Sequence, residues 1–152
     1  MKCEKLESLK RQIIRFGKML WDKNLVGGVN GNISLRVDSE SFLITGTGAC
    51  LGALEPGQLV RLGNDGRVMG RGVPSSEKLL HREILTSFPK INAVVHTHTT
   101  YTNAFFLRRK VFKPATFEAA YYLGSVYGLD QKTINVANPT PVVERLRHNR
   151  IV

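Results

Sequence analysis

Apolar residues recur at spacings of three and four through the first twenty positions, at Leu6, Leu9, Ile13, Phe16 and Leu20, with Lys and Arg between them. That period predicts an amphipathic helix over 4–20. Gly27-Gly28 interrupts the chain, and the period then changes to two. Ile33, Leu35 and Val37 alternate with polar residues, Asp38-Ser39 turns, and 41–45 returns, which predicts a β-hairpin. A second hairpin is expected from 59–62 and 67–69 around Asn64-Asp65-Gly66. Pro74-Ser75-Ser76 leads into a predicted helix over 77–87, which Phe88-Pro89 closes. The run 91–98 reads as a strand whose most buried part is Ala93-Val94-Val95. Beyond it the pattern predicts a helix from Thr99 or Thr100 to about 109 and a short strand at 111–112. A helical turn follows at 118–123, then strand-like residues at 134–136 and a helix over 139–147. Ile151-Val152 reads as the opening of another strand. Helices interleaved with hairpins predict a sheet covered by helices.

Composition narrows the class. At 152 residues and 42% apolar content, the chain is sized for one domain with a buried core, and it is too apolar for disorder. No run approaches a membrane span, and the charged N-terminus does not read as a secretory signal. Two cysteines, at 3 and 50, suggest neither a disulfide framework nor a Cys-rich zinc site. The expectation is a cytoplasmic protein without membrane contact. The formal charge of +10 is concentrated at the ends, with seven basic against three acidic residues in 1–23 and eight against three in 105–152. The only basic triplet, Arg108-Arg109-Lys110, lacks the interleaved aromatics of a single-strand binding surface. A nucleic-acid partner is therefore not expected, and an anionic metabolite accounts for the field equally well.

The sharpest chemical feature is His96-Thr97-His98 at the end of the hydrophobic run. Side chains two apart on a strand share a face, so both imidazoles can converge on one cation such as zinc. Pro74-Ser75-Ser76-Glu77 is the second feature. Its hydroxyls and helix-start N–H groups suit an anion, and Glu77 is a candidate base or ligand. A capped helix would look the same. His81 follows Glu77 by four residues, on the same helix face. Two glycine-rich loops, 27–32 and 45–48, fit no nucleotide fingerprint, yet their N–H groups could line an anion nest.

Taken in order, Gly28-Val29-Asn30-Gly31-Asn32-Ile33-Ser34-Leu35-Arg36, Ile44-Thr45-Gly46-Thr47-Gly48, Pro74-Ser75-Ser76-Glu77 with His81, and Asn92-Ala93-Val94-Val95-His96-Thr97-His98 resemble the class II aldolase/adducin family. The likeness covers residues 5 to about 110. It implies a single three-layer α/β/α domain, with a mixed, largely antiparallel central sheet, that assembles as a homo-oligomer, a tetramer in the family. It implies a Zn2+ ion, or another divalent metal, on His96 and His98, with Glu77 as acid/base and further possible ligand. Asn32, Thr47, Gly48, Ser75 and Ser76 would hold the phosphate of a sugar substrate. The implied reaction is aldol cleavage of a ketose 1-phosphate, such as L-fuculose 1-phosphate, to dihydroxyacetone phosphate and an aldehyde. Dehydratase or epimerase chemistry on the same site, or a non-catalytic role in assembly or binding, are the alternatives.

Three positions depart from the pattern. The family's third zinc histidine lies downstream, and the chain ends before it, which suggests a C-terminally shortened member. His148 falls too early for that role and belongs at a helix end. Phe117 stands where a proton-donating Tyr is expected, with Tyr121 or Tyr122 as the alternative donors nearby in sequence, and Val29 stands where a phosphate-contacting Thr is expected.

Overall fold

A computed structural model of the protein describes residues 2–129 and 136–148. Within it the chain groups into two compact units, 1–99 and 100–152. The first is an α/β unit: α1 (Lys2–Asp22), β1 (Asn32–Arg36), β2 (Ser41–Thr45), β3 (Leu59–Gly63), α2 (Lys78–Ser87) and β4 (Ala93–His96). The four strands form one sheet in the order β3-β2-β1-β4, and every described pairing is antiparallel.

Alternation along the strands explains the layering. On one face Ile33, Val37, Leu43 and Leu59 pack with Ile13, the innermost residue of α1, and with Val26, Leu51 and Leu54. On the other, Phe42, Ile44, Val60 and Leu62 pack with Leu85 of α2, and Ile91 and Val94 lie against them. Each inward apolar side chain contributes about 1.5–3 kcal/mol of transfer free energy. Both sheet faces are therefore covered, as expected of an α/β/α arrangement. Single 3₁₀ turns at Leu51–Ala53 and Pro56–Gln58, which the periodicity did not suggest, carry the chain from β2 back into β3.

Two expectations are corrected here. Val68 makes a single bridge to Leu62 rather than a strand, because the chain leaves the sheet through Gly70 and Gly72, both with positive φ. The run 91–98 yields a strand of only four residues, in which Ala93 is exposed, Val94 half-buried and Val95 51% exposed. Among the described residues β4 pairs with β1 alone, so it forms the edge of the sheet, and β-branched composition cannot distinguish an edge strand from a central one.

The second unit holds α3 (Thr100–Phe106), β5 (Val111–Phe112), α4 (Phe117–Leu123), β6 (Val126–Tyr127) and α5 (Thr140–Leu146). β5 and β6 pair antiparallel, and β6 is absent from the sequence expectations. Phe105 meets Phe106 and Phe112 edge-on, the Thr116 side chain accepts from the Ala119 N–H at the start of α4, and Arg145 lies 5.0 Å over the Tyr127 ring. His148 follows α5, at a helix end as expected. The strand expected at 134–136 falls largely outside the described residues, and the one expected at 151–152 falls wholly outside them.

Arg36 fastens α2 to the sheet. Its guanidinium donates to the carbonyls of Leu85 (2.5 Å), Phe88 (3.4 Å) and Ile91 (2.9 and 3.1 Å), which include acceptors left open where the helix ends. Charge-assisted bonds of this kind contribute roughly 1.5–3 kcal/mol. Arg36→Ala should lower the free energy of urea unfolding by about 2–3 kcal/mol, and Arg36→Lys, a single-point donor, should recover only part of that.

Candidate metal centre

Four chain segments meet at one end of the sheet: the start of β1, the loop after β2, the start of α2 and the end of β4. The β1–β4 register sets Asn32 directly opposite His96. Gly31 makes this approach possible. Its φ is +85°, and a Cβ there would lie 2.8 Å from Val26 Cγ1 and 3.1 Å from the His96 carbonyl oxygen. The Gly46–Pro74 bridge, with Thr47 N–H donating to the Val73 carbonyl (3.0 Å) and Ser75 N–H to the Thr45 carbonyl (3.0 Å), joins the loop after β2 to the approach to α2.

Glu77 is the N-cap of α2, and its carboxylate reaches back toward β4. One of its oxygens, Oε2, lies 2.6 Å from His96 Nδ1. The His96 and His98 rings sit 4.5 Å apart, tilted by 54°. One ligand atom from each of Glu77, His96 and His98 can be chosen so that all lie within 4.8 Å of one another. The expected convergence of the two histidines is therefore present, although β4 ends at His96 and His98 lies just beyond it.

The electrostatics suit a cation. The neighbouring His96 imidazole holds the Glu77 carboxyl below its ordinary range, against the opposing effect of burial. Burial, reinforced by His96, pushes His98 below the usual histidine value, while Glu77 works the other way. At neutral pH these directions leave a carboxylate and an uncharged His98 imidazole, the forms that bind metals. His96 Nδ1 is buried, and the Glu77 carboxylate is its partner. Two imidazoles and a carboxylate that converge this closely are a donor set that fits zinc or a similar divalent ion.

The anion candidates occupy the same end of the sheet. Asn32 and Ser75 are buried, while Thr47, Gly48 and Ser76 are exposed. The N–H groups of Thr47 and Ser75 are spent on backbone carbonyls, so these two residues offer only their hydroxyls. Ser75 Oγ also accepts from the Glu77 N–H (3.2 Å), which ties the loop to the helix start. Gly48, at φ +71°, has open space where a Cβ would stand. Val29 is 62% exposed.

His81 parts company with Glu77. Although the two are one helical turn apart, His81 is completely buried against β1, with Nδ1 2.7 Å from Ser34 Oγ and Nε2 bonded to Asn32 Oδ1. Burial, reinforced by His96 and opposed by Glu77, pushes its pKa down to about 3. The signal available in the sequence was a polar pair, Asn32 and Ser34, on the strand face turned away from Ile33, Leu35 and Val37.

The chain matches the Class II Aldolase and Adducin N-terminal domain family over residues 11–152. It belongs to that family. It is 39% identical over 93 residues to a 3-oxo-tetronate 4-phosphate decarboxylase of Cupriavidus necator, covering 61% of this chain and 42% of the relative. It is 35% identical over 120 residues to an L-fuculose phosphate aldolase of Methanococcus vannielii, covering 79% of this chain and 65% of that one. The crystal structure of L-fuculose-1-phosphate aldolase from Thermus thermophilus superposes with a TM-score of 0.81 at 29% identity, over 97% of this chain and 73% of the other. YgbL of Escherichia coli gives 0.79 at 27% identity, over 91% and 70%. Among the described residues no helix is long and apolar enough to cross a membrane.

The His81 environment makes a pH prediction. In the unfolded chain a histidine protonates near pH 6.5, whereas folded His81 stays neutral down to about pH 3. The unfolded state thus binds the extra proton between those values, and stability falls as pH drops through that window. His81 alone should contribute a slope of about 1.4 kcal/mol per pH unit. Urea unfolding at pH 7 and pH 5 should show a clearly smaller loss in His81→Gln than in the wild type.

Proposed function

We propose that the chain forms the metal-directed part of a lyase that breaks a carbon–carbon bond in a phosphorylated sugar or sugar acid. The observation that carries this reading is the convergence of Glu77, His96 and His98 at the sheet end shared with Asn32, Thr47, Gly48, Ser75 and Ser76. His96 and His98, with Glu77 able to join them, would hold zinc or another divalent ion. Such an ion supplies positive charge to a substrate carbonyl oxygen when it is bound. The Asn32 amide and the hydroxyls of Thr47, Ser75 and Ser76 hold the phosphate, and the backbone around Gly48 lets it approach closely. A phosphate held there fixes the reacting carbons relative to Glu77.

Glu77 is the acid/base. With a ketose 1-phosphate such as L-fuculose 1-phosphate, the C–C bond beyond the carbonyl breaks. The hydroxyl that becomes the aldehyde oxygen gives up its proton, and the electron pair of the broken bond passes to the three-carbon fragment as an enediolate. That proton, relayed through Glu77, is delivered to the enediolate carbon to give dihydroxyacetone phosphate. The likeness to the Methanococcus vannielii and Thermus thermophilus aldolases supports this reading. Assembly as a homo-oligomer belongs to the same family-based reading.

A second reading keeps the site and changes the leaving group. A 3-oxo-tetronate 4-phosphate is a β-keto acid, and loss of carbon dioxide from it leaves the same three-carbon enediolate. Phe117 favours this reading. Aldol cleavage frees an aldehyde and requires a proton to be handled at its oxygen, for which the family pattern supplies a Tyr at the position that Phe117 holds here, leaving that role to Tyr121 or Tyr122. Decarboxylation has no such requirement.

The test is release of dihydroxyacetone phosphate by the zinc-supplied protein from each of the two substrates, followed by coupled NADH oxidation. Release from at least one is expected, and Glu77→Gln should lower it by roughly 10²–10⁴-fold. Absence of release from both, with zinc bound, would refute the lyase reading and support a binding role. Formation of a dehydrated or epimerised sugar phosphate instead would move the same site to that chemistry.

A further inference from the structure

His81 takes no part in the Glu77, His96 and His98 cluster, yet it is the most completely buried ionisable side chain among the described residues, with no exposed surface. It lies on the α2 face turned to the sheet and spans Asn32 and Ser34, which stand two residues apart on the same side of β1. A neutral imidazole donates through one ring nitrogen and accepts through the other. Asn32 presents its carbonyl oxygen, Oδ1, which can only accept, to Nε2. This placement of Oδ1 calls for the proton on Nε2, which leaves Nδ1 to accept from the Ser34 hydroxyl.

The tautomer has a consequence at the sheet end. With its carbonyl oxygen bound to His81, the Asn32 amide turns its NH2 group away from the helix. No hydrogen bond among the described residues engages that nitrogen. An unrestrained asparagine amide can rotate by half a turn, and it would then offer an oxygen, which repels an anion, in place of two N–H donors.

We propose that His81 is a positioning residue that holds the Asn32 amide with its NH2 toward the substrate's anionic group, so that the site favours a phosphate over a neutral or cationic group. This inference rests on the reading of Asn32 as a phosphate contact. It separates two polar roles on one helix: Glu77 faces the reacting carbons, and His81 sets the polarity of the pocket from behind. Ser34 completes the device by donating to Nδ1 of this tautomer.

Two measurements test it. Long-range ¹H–¹⁵N spectra of the wild-type protein should show His81 protonated at Nε2, and protonation at Nδ1 would overturn the proposal without any variant having to fold. Titration with inorganic phosphate of the zinc-supplied wild type, His81→Gln and His81→Asn gives the functional arm. The glutamine amide extends to where Nε2 stands and can still donate to Asn32, so affinity should stay within about 3-fold of wild type. The asparagine amide reaches only the Nδ1 position, and affinity should fall by about 10-fold or more with zinc uptake unchanged. Equal phosphate affinity in wild type and His81→Asn would overturn the positioning role. If the wild type shows the Nε2 tautomer but binds no phosphate, the phosphate reading of Asn32 fails, and the proposal falls with it.

Discussion

The antiparallel pairing of β1 with β4 is the constraint on which the site depends. It places Asn32 opposite His96 and Ser34 opposite Val94, and so determines which polar groups reach the sheet end and which reach α2. Strand side chains alternate, so a slip of one residue would exchange the faces of every group on β4. Val95 would then point toward Glu77, and His96 toward the opposite layer. The register is held from several directions. Gly31 leaves no Cβ between the loop before β1 and the His96 carbonyl, Arg36 fastens the far end to the C-terminal carbonyls of α2, and apolar residues fill both faces between them. The cluster is thus built on strand and helix ends rather than on loops alone, which favours a fixed donor geometry.

Much of this was legible in the sequence because it follows from simple periods. The spacing of Leu6, Leu9 and Ile13 gives α1, and Ile33, Leu35 and Val37 give the first arm of the hairpin. The ordered motifs that resemble the class II aldolase/adducin family led to the same family that the whole-chain comparison shows. The layering of α1 and α2 on opposite faces of an antiparallel sheet agrees with the α/β class expected of it.

The rest was hidden for identifiable physical reasons. A run such as Ala93-Val94-Val95 has the composition of a central strand, but whether a strand is an edge depends on partners that local sequence does not specify. Asn32 and Ser34 look like the solvated face of a two-sided strand until α2 is known to cover them. Once covered, each needs a hydrogen-bond partner, and His81 supplies both. The Glu77 and His81 pair, four residues apart, looks like one functional unit on a helix. Glu77 is instead the cap, where the backbone has not yet entered the helix, and its carboxylate turns to β4 while His81 turns to β1. Helical spacing alone does not carry that distinction.

Everything proposed for the chemistry depends on Glu77, His96 and His98 acting as one cation site, with His96 Nδ1 and the Glu77 carboxylate side by side within it. The most direct test is zinc content per chain, measured by elemental analysis after equilibration with zinc and removal of the excess, with His96→Ala in parallel. Close to one zinc per wild-type chain and a large loss in the variant are expected. A wild-type protein that retains no zinc, or a variant that retains as much as the wild type, would contradict it.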